Sequence, residues 1–158
     1  MKTPATERIL ELFNQLNQIP RCSGNEAGVC SWLTGIAKEN GFTYKEDVVG
    51  NLVISVPASP GYENAPVIIL QGHMDMVCEK SDDCKHDFNV DPIISLEKGD
   101  WLYADNTTLG ADNGIAIAMA LAVVLDPSIA HPPLELLFTV REEVGLWGVK
   151  DLSADFLE

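Results

Sequence analysis

Val67-Ile68-Ile69-Leu70-Gln71-Gly72-His73-Met74-Asp75 is a run of β-branched and apolar residues that ends abruptly in a His-x-Asp pair. The run is too short for a stable helix, and it reads as a buried strand whose carboxyl end carries polar chemistry. Side chains alternate along a strand, so His73 and Asp75 fall on one face. An acid beside an imidazole can accept one ring N–H, fix the tautomer and turn the other nitrogen toward a metal. A lone His-x-Asp is more often a structural hydrogen-bonded pair. Two later stretches change that balance.

The first is Leu109-Gly110-Ala111-Asp112-Asn113-Gly114, which opens directly into Ile115–Leu125. That segment is apolar all round, which predicts a buried helix, and it is too short to span a bilayer. The second is Leu134–Val140, another continuous apolar run, which predicts a second buried strand ending in Arg141-Glu142-Glu143. A short helix or turn is expected from Val144 to Gly148.

The remaining elements frame these three. Thr3-Pro4 opens a helix with Ile9, Leu10, Phe13 and Leu16 at helical spacing, ended by Ile19-Pro20. Ser23-Gly24-Asn25-Glu26 has the form of a capping box, followed by Val29, Trp32, Leu33, Ile36 and Ala37 on one helical face and a stop at Asn40-Gly41. Val48–Val56 is strand-like with a bend or bulge at Gly50-Asn51, and Pro57 to Pro66 is a loop. Ile93–Leu96 and Trp101–Tyr103 flank a hairpin turn at Glu97-Lys98-Gly99-Asp100. Strands alternating with helices imply an α/β layer with a largely parallel sheet.

Composition bounds the function. The 158 residues are enough for one domain with a full core, and 46% hydrophobic content argues against disorder. A formal net charge of −14 argues against nucleic acid or anionic membrane as a partner. The amino terminus lacks the apolar core of a signal peptide and no run approaches membrane-spanning length, so the cytoplasm is expected. Cys22, Cys30, Cys78 and Cys84 show no C-x-x-C spacing and read as free buried thiols in a reducing compartment. A site built from Cys78, Cys84 and His86 is the alternative.

Acids or a histidine thus stand at the ends of the three most apolar segments: His73 and Asp75, Asp112, and Glu142 and Glu143. Taken singly, Asp112 reads as a helix N-cap and the glutamates as a solvated strand end. Taken together, two of the clusters end strands, where open α/β sheets form sites, and the third precedes a buried helix. Two carboxylates ~4 Å apart repel by ~4 kcal/mol at an effective dielectric near 20. Converging acids must therefore protonate, separate or bind cations. Histidine plus carboxylates without paired thiolates fits zinc, with manganese or cobalt as substitutes.

Gln71-Gly72-His73-Met74-Asp75-Met76-Val77, Thr107–Ile115 and Thr139–Gly145 resemble the dinuclear zinc peptidase family that includes carnosinases, aminoacylases and aminoacyl-histidine dipeptidases. Lys85–Ile93 looks like the last of these subgroups. The resemblance covers nearly the whole chain. It implies a three-layer zinc-exopeptidase-like catalytic domain with a mixed, mostly parallel sheet, incomplete at its C-terminal side. It implies that His73 ligates one of two zinc ions, that Asp75 orients His73, that Asp112 bridges both ions and that Glu143 ligates the second. Glu142 becomes the general base for a zinc-activated water, and the Asp112–Asn113 peptide bond is expected to be cis. The implied substrate is a dipeptide of the Xaa-His type.

The sequence departs from the family pattern in two places. An acid in an N-x-D-S-E-like strand beyond the glutamate pair and a late histidine ligand are both missing, as is the inserted domain that pairs subunits. His86 and His131 lie in stretches where the family has no ligand. Residues 1–158 are therefore expected to be the N-terminal part of the catalytic domain, with three of five ligand positions. Little activity and weak metal binding are expected of the chain alone, and a homodimer of the full-length protein. The competing readings are another peptidase or N-acyl-amino-acid hydrolase of the same family, and a truncated, non-catalytic interaction module.

Overall fold

The structure, a computed structural model, describes residues 2–157. Two helices come first, α1 (Pro4–Leu16) and α2 (Ala27–Glu39). A four-stranded sheet follows from β1 (Thr43–Glu46), β2 (Leu52–Val56), β3 (Ile68–His73) and β6 (Leu134–Thr139). A separate hairpin, β4 (Ser95–Lys98) and β5 (Trp101–Ala104), leads to α3 (Ala111–Val124), and α4 (Trp147–Lys150) follows β6.

The main sheet has the order β1-β2-β6-β3. β1 with β2 and β2 with β6 are antiparallel, and only β3 with β6 is parallel. The α/β class and the mixed sheet agree with the expectation; the largely parallel sheet does not. A tight hairpin supplies the first antiparallel pair. Asp47 Oδ1 accepts the amides of Val49, Gly50 and Asn51, so the chain reverses at Gly50, which has φ +100°, and the strand expected from Val48 starts at Leu52.

β6 is buried at every position and lies between β2 and β3. β3 pairs with β6 alone among the described residues, leaving Ile68 46% and Ile69 42% exposed. A continuous apolar run specifies a strand but not its place in the order, and here it forms an edge.

Register builds one apolar face. Leu52 pairs with Phe138, Ile54 with Leu136 and Val56 with Leu134, while Leu70 and Gly72 sit opposite Leu136 and Phe138 on the other side of β6. This face shares a single core with Phe13, Leu16, Val29, Leu33, Ile117 and Leu121 from the three long helices. α3, expected to be buried, is only partly so: its apolar surface meets both α1 and β3, while Met119 stays 51% exposed.

Two local expectations are overturned. Ser23-Gly24-Asn25-Glu26 is not a capping box: α2 has Glu26 at its N-cap position and no side-chain cap bond. Nor are all four cysteines free, because Cys22 and Cys78 form a disulfide, with Cys30 and Cys84 reduced. The chain segments carrying them already run side by side, with Cys22 bridged to Met76, which brings the thiols together across 56 residues. This pairing also removes Cys78 from any site with Cys84 and His86.

Candidate metal centre

The site is assembled at the carboxyl ends of β3 and β6 and at the start of α3. Parallel pairing places His73 beside Thr139, so the segments that follow both strands emerge at the same edge. Gly72 lies against Ala116 and Ile117, which brings the beginning of α3 over that edge. Asp112 does not act as the helix N-cap. That position is Gly110, in the left-handed region at φ +71°. Asp112 and Asn113 are non-helical, and the bond between them is cis, as the resemblance implies. The Asp112 side chain lines the cleft beside His73.

His73 Nε2 stands 3.1 Å from Asp112 Oδ1 and 3.8 Å from Glu142 Oε2. Its other nitrogen, Nδ1, lies 3.0 Å from the Asp75 carbonyl and 3.3 Å from Asp75 Oδ1. The imidazole is thus held from behind with Nε2 aimed at the acids. One ligand atom each of His73, Asp112 and Glu143 falls within 4.8 Å of the others. A cleft of about 340 Å³ opens beside His73 and Asp112, lined also by Gln71, Asn113, Glu142 and Leu146.

Asp75 is fully buried, yet its carboxylate is well supplied with donors. Oδ1 accepts the Glu142 amide at 3.0 Å; Oδ2 accepts the Glu143 amide at 3.2 Å and the Ser23 hydroxyl at 2.6 Å. Burial disfavours its charge, but His73, Ser23 and the two amides outweigh burial and hold its pKa down at about 2. Burial likewise opposes the His73 imidazolium, and hydrogen bonds to Asp75 and Asp112 reverse that, raising its pKa to about 9. Glu143 is pushed above the ordinary glutamate range by desolvation and by the neighbouring carboxylates of Asp112, Glu142 and Asp75, with His73 pulling the other way.

All five residues singled out in the sequence meet here. His86 and His131 lie elsewhere, engaged with Phe88 and with the Pro132 carbonyl respectively. The donor set fits a divalent cation: one imidazole nitrogen and two carboxylates converge, and the acids repel one another until a positive charge joins them. Sequence reasoning missed the residues that brace this set. The S-x-x-E spacing of Ser23 and Glu26 reads as a helix start, and no local pattern singles out Arg21.

No family model matches the chain. It is 44% identical over 148 residues to the cytosol non-specific dipeptidase of Escherichia coli, covering 94% of this chain and 30% of that protein. The aminoacylhistidine dipeptidase from Vibrio alginolyticus superposes with a TM-score of 0.93 at 41% identity, over 96% of this chain and 31% of that one. A dinuclear metal binding peptidase of the M20 family from Bacillus subtilis shares the fold alone, with a TM-score of 0.50 and 16% identity over 87% of this chain and 36% of that one. The chain spans about a third of the length of the two dipeptidases it matches.

Proposed function

We propose that this chain, a relative of the M20-family peptidases over nearly its whole length, supplies part of a two-zinc centre that hydrolyses dipeptides of the Xaa-His type. The observation that carries the reading is the approach of His73, Asp112 and Glu143 ligand atoms to within 4.8 Å. His73 and Glu143 would each hold one ion and Asp112 would bridge the pair, with manganese or cobalt as substitutes for zinc. When bound, such ions polarise the scissile carbonyl and acidify water.

The other steps belong to the protein. Asp75 fixes the His73 ring, leaving Nε2 free to donate its lone pair. Glu142 lines the cleft and takes a proton from the attacking water, then returns it to the leaving amine. Adjacent glutamates can divide these tasks because, with both amides bound to one carboxylate, Glu142 lines the cleft while Glu143 joins His73 and Asp112.

Residues 1–158 are proposed as the N-terminal part of the catalytic domain of a cytoplasmic, homodimeric dipeptidase. The E. coli relative is named as cytosolic, and no helix among the described residues is long and apolar enough to cross a membrane. With three of the five ligand positions that the resemblance calls for, this chain is proposed to have little activity by itself.

Zinc or manganese added to the purified chain is expected to raise its melting temperature, and His73→Ala and Glu143→Ala to abolish that response. An unchanged melting temperature in the unsubstituted chain overturns the metal assignment. Robust cleavage of β-Ala-His by the 158-residue chain, abolished by chelation, overturns the proposed inactivity. Preference of a full-length relative for an N-acyl amino acid over β-Ala-His overturns the substrate class.

A further inference from the structure

Residues 21–26 touch all three segments that carry the proposed centre. Arg21 Nη2 donates to the Gly110 carbonyl at 2.7 Å, two residues before Asp112, and Nη1 reaches the Met74 carbonyl at 3.5 Å. Ser23 Oγ donates to Asp75 Oδ2 at 2.6 Å. Glu26 Oε1 accepts the Arg141 amide at 3.0 Å, immediately before the glutamate pair. The backbone joins in, since the Arg21 carbonyl accepts the Met76 amide at 3.0 Å and the Cys22–Cys78 disulfide lies between these contacts.

A plain helix start would not need this. Capping is served by an exposed serine, whereas Arg21 is 2% and Glu26 6% exposed, and burying charges is costly unless hydrogen bonds compensate. Apart from Asn17 Oδ1, which accepts from Arg21 Nη2 at 3.2 Å, their partners named above are backbone groups just outside regular strands and helix. Ligand atoms need placement to about 0.5 Å to bind well.

We propose that Arg21, Ser23 and Glu26 form a positioning brace, which sets the distances among His73, Asp112 and Glu143 and so tunes affinity for divalent cations. The proposal rests on the metal reading given above. None of the three touches substrate; each acts through a backbone group or through Asp75. Ser23 is the most informative member, because its hydroxyl fixes the carboxylate that in turn receives the Glu142 and Glu143 amides.

The test compares Ser23→Ala, Ser23→Thr and Glu26→Ala with the unsubstituted chain, using amide hydrogen exchange by NMR and calorimetric titration with Zn2+. Ser23→Ala is expected to speed exchange at Glu142 and Glu143 about tenfold while Leu121 and Leu136 stay within about twofold. Zn2+ affinity is expected to fall by about 10–100-fold, the usual effect of losing a group that orients a ligand, and Ser23→Thr to restore both. Glu26→Ala is expected to act first at the Arg141 amide. Unchanged exchange at the glutamates, or a uniform rise that includes Leu121 and Leu136, overturns the brace. Exchange that responds as expected in a chain that binds no Zn2+ leaves the brace standing as a backbone clamp and overturns the metal reading and the affinity role.

Discussion

The buried carboxylate of Asp75 accepts the backbone amide of Glu142 at 3.0 Å, although 67 residues separate them. One oxygen thereby ties the end of β3 to the turn after β6. The second oxygen repeats the tie at Glu143. Asp75 therefore sets the His73 ring and the start of both glutamates at once.

Asp75→Asn tests that double role. Asparagine offers one acceptor oxygen and an NH2 group, so at least one of the two amides loses its acceptor in a fully buried position. A loss of about 2–4 kcal/mol in folding free energy is expected, together with loss of the zinc-induced rise in melting temperature. Urea unfolding in chelator and thermal melts with zinc measure the two effects. A variant as stable as the parent chain would show that this carboxylate organises nothing.

Stability of the metal-free chain should depend on pH in a particular direction. His73 has its pKa raised from 6.5 to about 9, so its contribution is complete below pH 6.5 and is lost as pH rises through about 9. Asp75 has its pKa lowered from 3.8 to about 2, so its contribution is complete above pH 3.8 and is lost as pH falls through about 2. Melting temperature in chelator is expected to be highest between these limits, and His73→Gln to flatten the alkaline side. Protection by zinc should grow with pH instead, because a ligating imidazole must be neutral. An alkaline limb identical in the parent and His73→Gln would remove His73 from the account.

The disulfide gives a third measurement. Cys22 and Cys78 close a loop spanning 56 residues, and replacing both by serine is expected to lower stability by about 2–4 kcal/mol. Thiol labelling of the native and reduced chain, with urea unfolding of each, checks it. Four reactive thiols in the untreated protein would rule the bond out.

Most elements were legible because each depends on neighbours in sequence. The helical spacing of Ile9, Phe13 and Leu16 gives α1, and Gly99 at φ +61° gives the turn between β4 and β5. Leu134–Thr139 was readable as a strand for the same reason. The position of β3 at the edge was not readable. Its apolar run matches that of β6, and only pairing distinguishes an edge from a centre. The role of Ser23 and Glu26 was hidden because S-x-x-E satisfies a local rule, and the partners that displaced that rule lie 52 and 115 residues away.

Local patterning is enough to single out the polar residues and the apolar segments they flank: His73 and Asp75, Asp112, and the glutamate pair. Tertiary structure alone decided that Nε2 of His73 faces Asp112, that Asp75 takes the amides of both glutamates, and that residues 21–26 brace the group. The physical reason is range. Strand and helix signals repeat within a few residues, whereas a carboxylate in the core selects whichever donors the fold carries to it, and those donors leave no periodic trace along the chain.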